Sequence, residues 1–125
     1  MKEHPGSFDY ALFANTDGNH PAADVFTTSP LEAAGPAALE LGTWTHLALT
    51  WDGATLKLFV DGANVATQAA PAPLMTSTGQ LRIGGSSLGG QFFNGLIDEV
   101  RVYDRPLAGS AIQADMNAPV KPGTP

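Results

Sequence analysis

The sequence predicts an all-β, antiparallel, turn-rich fold with one short helix near its C-terminus, and three observations carry that reading. Charged residues make up only 14% of the 125 residues, well short of the Glu, Lys and Arg that long solvated helices need. Fourteen glycines and ten prolines imply many turns, yet stay below the roughly 25–30% that marks low-complexity disorder. From Gly42 onward the apolar residues recur with period two, the signature of half-buried strands.

The alternation is clearest between Thr45 and Gln68. Leu47, Leu49 and Trp51 alternate with His46, Ala48 and Thr50. After Asp52-Gly53, Leu56, Leu58 and Val60 alternate with Thr55, Lys57 and Phe59. Alternating runs around Asp-Gly are a strong short-range hairpin signal, and Asp61-Gly62 turns the chain again into Asn64–Gln68. Thr45–Gln68 is therefore expected to be a three-stranded meander. Upstream, Tyr10–Asn15 and Asp24–Thr28 read as strands around a turn at Thr16–Pro21, and the Pro/Ala-rich Ser29–Ala38 as irregular. Downstream, Leu81–Ile83 reads as a short strand ended by Gly84-Gly85. Phe92–Tyr103 reads as a long strand, with Leu96, Asp98, Val100 and Val102 on one face and Ile97, Glu99, Arg101 and Tyr103 on the other. Ser110 and Gln113 have the spacing of a helix capping box, with Ile112 and Met116 four residues apart on one helix face. Ala118–Pro125 has the composition of a linker or tail, so the domain is expected to span 1–117 and the tail 118–125.

Charge and composition remove several function classes. Six Lys plus Arg stand against twelve Asp plus Glu, for a net charge of −6. The cations are scattered, whereas a phosphate backbone is held by clustered Lys and Arg, so nucleic acid is not an expected partner. No apolar run approaches the ~20 residues of a spanning helix, and no membrane insertion is expected. The absence of cysteine removes disulfides, thiolate zinc sites and thiol catalysis. The glycine pairs Gly84-Gly85 and Gly89-Gly90 lack the Lys-Ser/Thr and helix of a phosphate loop.

Three blocks together resemble the laminin G-like jellyroll domains of the concanavalin A-like lectin/glucanase superfamily. They are Gly42–Gly62 (GTWTHLALTWDGATLKLFVDG), Leu81–Gly85 (LRIGG) and Phe93–Leu107 (FNGLIDEVRVYDRPL). The resemblance covers about Lys2 to Val120 and implies an antiparallel β-sandwich of the jellyroll type. Family members carry further strands before the segment that resembles Lys2–Gly6, so the resemblance implies a truncated jellyroll, with Gly95–Tyr103 left as an edge. A homodimer that completes the sandwich is one expected partner. Ala108 and Ala111 replace the family's capping Ser and Glu, which moves the expected cap to Ser110.

The resemblance also implies a non-catalytic binding module of a secreted multidomain protein, extracellular or at the cell surface, that takes a glycan or an extracellular protein. The alternative is a structural, self-assembling sandwich unit without a small ligand. No enzyme is expected: Asp98 and Glu99 are adjacent in a strand and point to opposite faces, so they cannot share one cleft as paired glycosidase carboxylates do. In related glucanases an Asp placed like Asp98 helps hold a structural Ca²⁺, which wants oxygen ligands. That makes Asp98 the metal candidate, against a plain role accepting backbone N–H groups. The ligand candidates are Asn15, Asp17, Asn19 and His20, the most polar loop, with Trp44 as a stacking ring. Asp-Gly-Asn is equally ordinary turn chemistry, and Trp44 could instead pack on the preceding loop. Trp51 shares the face of Leu47 and Leu49 and is expected in the core.

Overall fold

A computed structural model describes residues 1–121 of the chain. The seven strands are β1 (Lys2–His4), β2 (Ser7–Phe13), β3 (Ala22–Phe26), β4 (Pro30–Ala34), β5 (Leu47–Trp51), β6 (Thr55–Val60) and β7 (Ala63–Ala69). One helix, α1 (Gly109–Met116), follows them. They form two antiparallel sheets, a four-stranded one in the order β1-β2-β3-β4 and a three-stranded one in the order β5-β6-β7.

The meander forms as its alternation predicts. Leu47 faces Val60 and Trp51 faces Leu56, and Asp61-Gly62 turns the chain from β6 into β7. Both turn residues take positive φ, 48° and 78°, as a type I′ hairpin turn requires. At the other turn the Asp52 carboxylate accepts the N–H groups of Ala54 (3.0 Å) and Thr55 (2.8 Å). Those bonds hold the Asp52 carboxyl below the usual carboxylate range.

The two sheets meet through one core. Ala23, Val25 and Ala33 from the four-stranded sheet pack with Leu56, Leu58 and Ala70. Fully burying a leucine is worth about 1.5–3 kcal/mol, so Leu56 and Leu58, both without solvent exposure, anchor the sandwich. Tyr10, Leu31, Leu49 and Trp51 close its margins, and the Trp51 indole N–H donates to the Ala70 carbonyl at 3.0 Å. The core position expected for Trp51 is thus the observed one, at the margin. Phe59 points the opposite way from Leu58 yet is also buried. A bulge beside it shifts the β6–β7 register, and the first residue of α1 lies against its ring, since a Cβ on Gly109 would stand 3.5 Å from Phe59 Cε1.

Four expectations are corrected. Ser29–Ala38 is not wholly irregular: Pro30–Ala34 forms edge strand β4, where Pro at the first position leaves no ladder bond wanting. The Leu81–Ile83 strand reduces to a single bridge, Leu81 with Lys2, supported by Glu3 N–H to Gln80 O and Arg82 N–H to Met1 O. Ser110 is not the helix cap. Ala108 holds that position with extended backbone and no side-chain bond, while the Gln113 amide donates to Gly62 O at 3.1 Å instead of reaching back along the helix. Finally, the strand expected over Phe92–Tyr103 does not form. No backbone–backbone hydrogen bond reaches residues 94–107 among the described residues, because no strand lies alongside to supply the ladder.

Side-chain bonds hold that segment instead. Arg101 donates through Nη1 to Asp115 O (2.5 Å) and through Nη2 to Ala118 O, satisfying carbonyls at the C-terminal end of α1. The Tyr103 hydroxyl donates to Asp115 Oδ2 and the Val120 N–H to Glu99 Oε2. The bond to Asp115 raises the Tyr103 hydroxyl above its ordinary pKa. Glu99, Arg101 and Tyr103, the face expected from alternation, therefore serve the helix end.

Candidate functional site

The β2–β3 connection contains the polar loop singled out by sequence. It is stitched by its own backbone: Thr16 N–H donates to His20 O at 3.0 Å and Asn19 N–H to Thr16 O at 2.8 Å. Thr16 Oγ1 adds a bond to His20 O at 3.1 Å and lies 3.3 Å from His20 Nδ1. Asn19 takes φ of 58°, the left-handed conformation that Asn tolerates well. Turn chemistry accounts for the loop backbone, while Asn15, Asp17 and Asn19 stay exposed and His20 is half-buried.

Trp44 lies in the connection before β5 and is 67% exposed, so it is not packed away on the preceding loop. Trp44 and the loop residues Asn15, Asp17, Asn19 and His20 border the same open cavity, about 2200 Å³ in volume. Leu47, Leu49, Trp51 and residues 92–107 also line it. A drug-sized ligand pocket runs to roughly 300–1,000 Å³; this opening is wider.

Two buried polar groups belong to this region. Asp24 on β3 faces Glu32 on β4 across the ladder, and its Oδ1 is buried without a hydrogen-bond partner. Burial first, and the Glu32 charge second, push its carboxyl up to about 7. His46 Nδ1 is likewise buried and unpartnered, while its backbone N–H donates to Asp61 Oδ1 at 2.8 Å. The burial of Asp24 carried no signal in the sequence, because an Asp in a strand reads as solvent-facing until its cross-strand neighbour is known. The mouth carries more acid than base: of the three arginines lining it, Arg82 is bonded to Glu3, Arg101 to the end of α1, and Arg105 stands 3.6 Å from Asp104.

Asp98 lies apart from the polar loop in sequence, exposed, its Oδ1 accepting the Glu99 N–H at 2.7 Å. No group of three or more His, Cys, Asp or Glu side chains able to hold a metal occurs among the described residues.

These features define a class: a small antiparallel β-sandwich, open at one side, with a polar loop and an exposed indole at the opening. A family model described as the concanavalin A-like lectin/glucanases superfamily, in its laminin G group, matches residues 3–113. The chain belongs to this laminin G-like family. Pappalysin-1 of Mus musculus is 36% identical over 80 residues, which is 60% of this chain and 5% of that protein. Pappalysin-1 of Homo sapiens is 34% identical over 80 residues, with the same coverage. The chain thus spans a small fraction of the length of the curated relatives it matches. Among solved structures, an S-layer domain-containing protein (residues 221–444) from Clostridium thermocellum aligns with a TM-score of 0.57 at 20% identity, over 91% of this chain and 66% of that one. That likeness concerns the fold. No helix among the described residues is long and apolar enough to cross a membrane.

Proposed function

We propose that this domain is a non-catalytic binding module of a secreted multidomain protein, and that it takes a glycan or a glycan-bearing extracellular protein at the opening between Trp44 and the Asn15–His20 loop. The observation that carries the reading is the Trp44 ring, 67% exposed at the border of the cavity that Asn15, Asp17 and Asn19 also line. Sugars are held by an aromatic face with planar amide and carboxylate groups beside it, and the internally bonded loop backbone presents those groups at little ordering cost. Matching so small a share of pappalysin-1 supports a module within a larger chain. The non-catalytic part rests on membership of the laminin G-like family; the one His–Asp contact near a serine, His4 Nδ1 at 2.8 Å from Asp9 Oδ1, has Ser77 Oγ bonded to Asp9 Oδ2 and Glu3 O rather than to the imidazole.

A glycan array followed by titration calorimetry tests this reading. Binding of one glycan class by the native domain, lost in Trp44→Ala and reduced at least tenfold in Asp17→Ala with Asn19→Ala, is the expected result. An array blank for the native domain, or a titre unchanged in Trp44→Ala, would overturn it.

A further inference from the structure

We propose that two copies of this chain pair antiparallel through residues 96–104, with Val100 of one copy facing Val100 of the other. The proposal goes beyond ligand binding at the Trp44 opening and uses neither Trp44 nor the Asn15–His20 loop, although residues 96–104 also border that cavity. Residues 94–107 lie in no sheet and make no backbone–backbone hydrogen bond among the described residues, so their donors and acceptors have no ladder partner and can take one from a second strand, as in strand addition. Leu96, Val100 and Val102 are 78%, 49% and 63% exposed, while on the opposite face of the alternation Arg101 and Tyr103 are bonded to Asp115 of α1.

A second copy is favoured over another occupant by charge complementarity within the segment. A two-fold pair brings residues whose numbers share one sum opposite each other. Centred on Val100, Glu99 of each copy faces Arg101 of the other, Ile97 faces Tyr103, and Asp98 faces Val102. Opposite charges and aromatic–aliphatic pairs stabilise such ladders. Moving the centre by one residue sets Glu99 against Glu99 or Arg101 against Arg101, and like charges directly opposite are destabilising. Within one copy Arg101 Nη2 also lies 3.5 Å from Glu99 Oε2, so pairing, with Arg101 and Glu99 released from Ala118 O and Val120 N–H, builds a four-charge cluster of alternating sign on one face. Pairing also gives Glu99, held at φ of 55°, a ladder in which to become extended.

The chain contains no cysteine, so single cysteines report the register cleanly. Facing Cα atoms in an antiparallel pair are ~4.5–5.5 Å apart, within disulfide reach. Under mild oxidation Val100→Cys is expected to cross-link to a covalent dimer, while Val102→Cys, offset from its own copy, is not. In sedimentation, native protein is expected to shift from monomer toward dimer at tens of micromolar, about the range of a small transient interface. Glu99→Arg alone and Arg101→Glu alone are expected to stay monomeric, and their equimolar mixture to dimerise, because each then faces its opposite charge. That rescue also separates a lost interface from a misfolded variant. Native protein that stays monomeric at a hundred micromolar overturns the proposal. So does cross-linking of Val102→Cys equal to that of Val100→Cys, or a dimer indifferent to both charge variants.

Discussion

Ser87 donates twice to the carboxylate of Glu3, through its backbone N–H at 2.8 Å and its hydroxyl at 2.7 Å, across 84 residues of chain. Arg82 Nε adds a third bond at 3.1 Å. The two Ser87 bonds, with the Arg82 charge behind them, hold the Glu3 carboxyl at about 2. This junction ties β1 to the loop after residue 80, where regular pairing has shrunk to one bridge. Glu3→Gln and Ser87→Ala are each expected to lower the melting temperature by several degrees at pH 7. Because the native carboxyl titrates below its ordinary 4.5, its contribution is complete above that pH and fades as pH falls toward 2. The difference between native and Glu3→Gln protein should therefore close on acidification; a gap constant from pH 7 to pH 2 would refute the assignment.

Asp24 works in the opposite sense. Its carboxyl is raised from 3.8 to about 7 by burial and by Glu32, so the folded state holds a proton that the unfolded chain has released. The favourable neutral form is fully in place below the unfolded value and is lost as pH rises through about 7. With Glu3 acting below 4.5, the stability maximum is expected at about pH 4–5. Asp24→Asn keeps the shape without the charge, so it should raise the melting temperature at pH 8 and change little at pH 4. Thermal melts across pH 3–9 check both halves, and an Asp24→Asn curve parallel to the native one would contradict the raised carboxyl.

Legibility in the sequence followed the range of the interactions. The β5–β6–β7 meander was readable because each strand's partner is its chain neighbour and the turns are written in Asp-Gly. The segment 92–103 has equally clean alternation, yet it forms no strand, since a strand exists only when another lies beside it. Its alternation survives as a division of labour, with Glu99, Arg101 and Tyr103 bonded at the helix end. Edge strand β4 went unread because Pro30 and two alanines carry little strand propensity, although Ala33 is 2% exposed in the core. The Asn15–His20 loop and Trp44 were legible as candidates, but their sharing of one opening depends on how the two sheets stack. Asp24 gave no signal at all, as its burial comes from the neighbouring strands.

The two tryptophans are expected to respond differently to substitution. Trp51→Phe keeps most of the packing but removes the 3.0 Å bond to Ala70 O, and Ala70 is without solvent exposure. A carbonyl left unpaired in a buried site costs about 1–3 kcal/mol. Trp44, 67% exposed, should cost at most about 0.5 kcal/mol as Trp44→Ala. Urea unfolding of both variants measures the contrast, and comparable losses would place Trp44 in the core rather than at the opening.

Gly62 joins the hairpin turn to the helix, so its replacement tests whether α1 is part of the fold or an appendage. It sits at φ of 78°, and a Cβ there would come within 2.6 Å of Gln113 Cγ, whose amide donates to Gly62 O. Gly62→Ala thus carries two penalties: about 1–2 kcal/mol for a left-handed non-glycine residue, and the displacement of Gln113 from its bond. Gln113→Ala alone removes one bond, about 0.5–1.5 kcal/mol. In the Gly62→Ala background it also removes the clash, so the double variant is expected to be more stable than the two single losses added together. Strict additivity would mean that α1 moves freely against the turn, and that Phe59, buried beneath its first residue, is covered by something else.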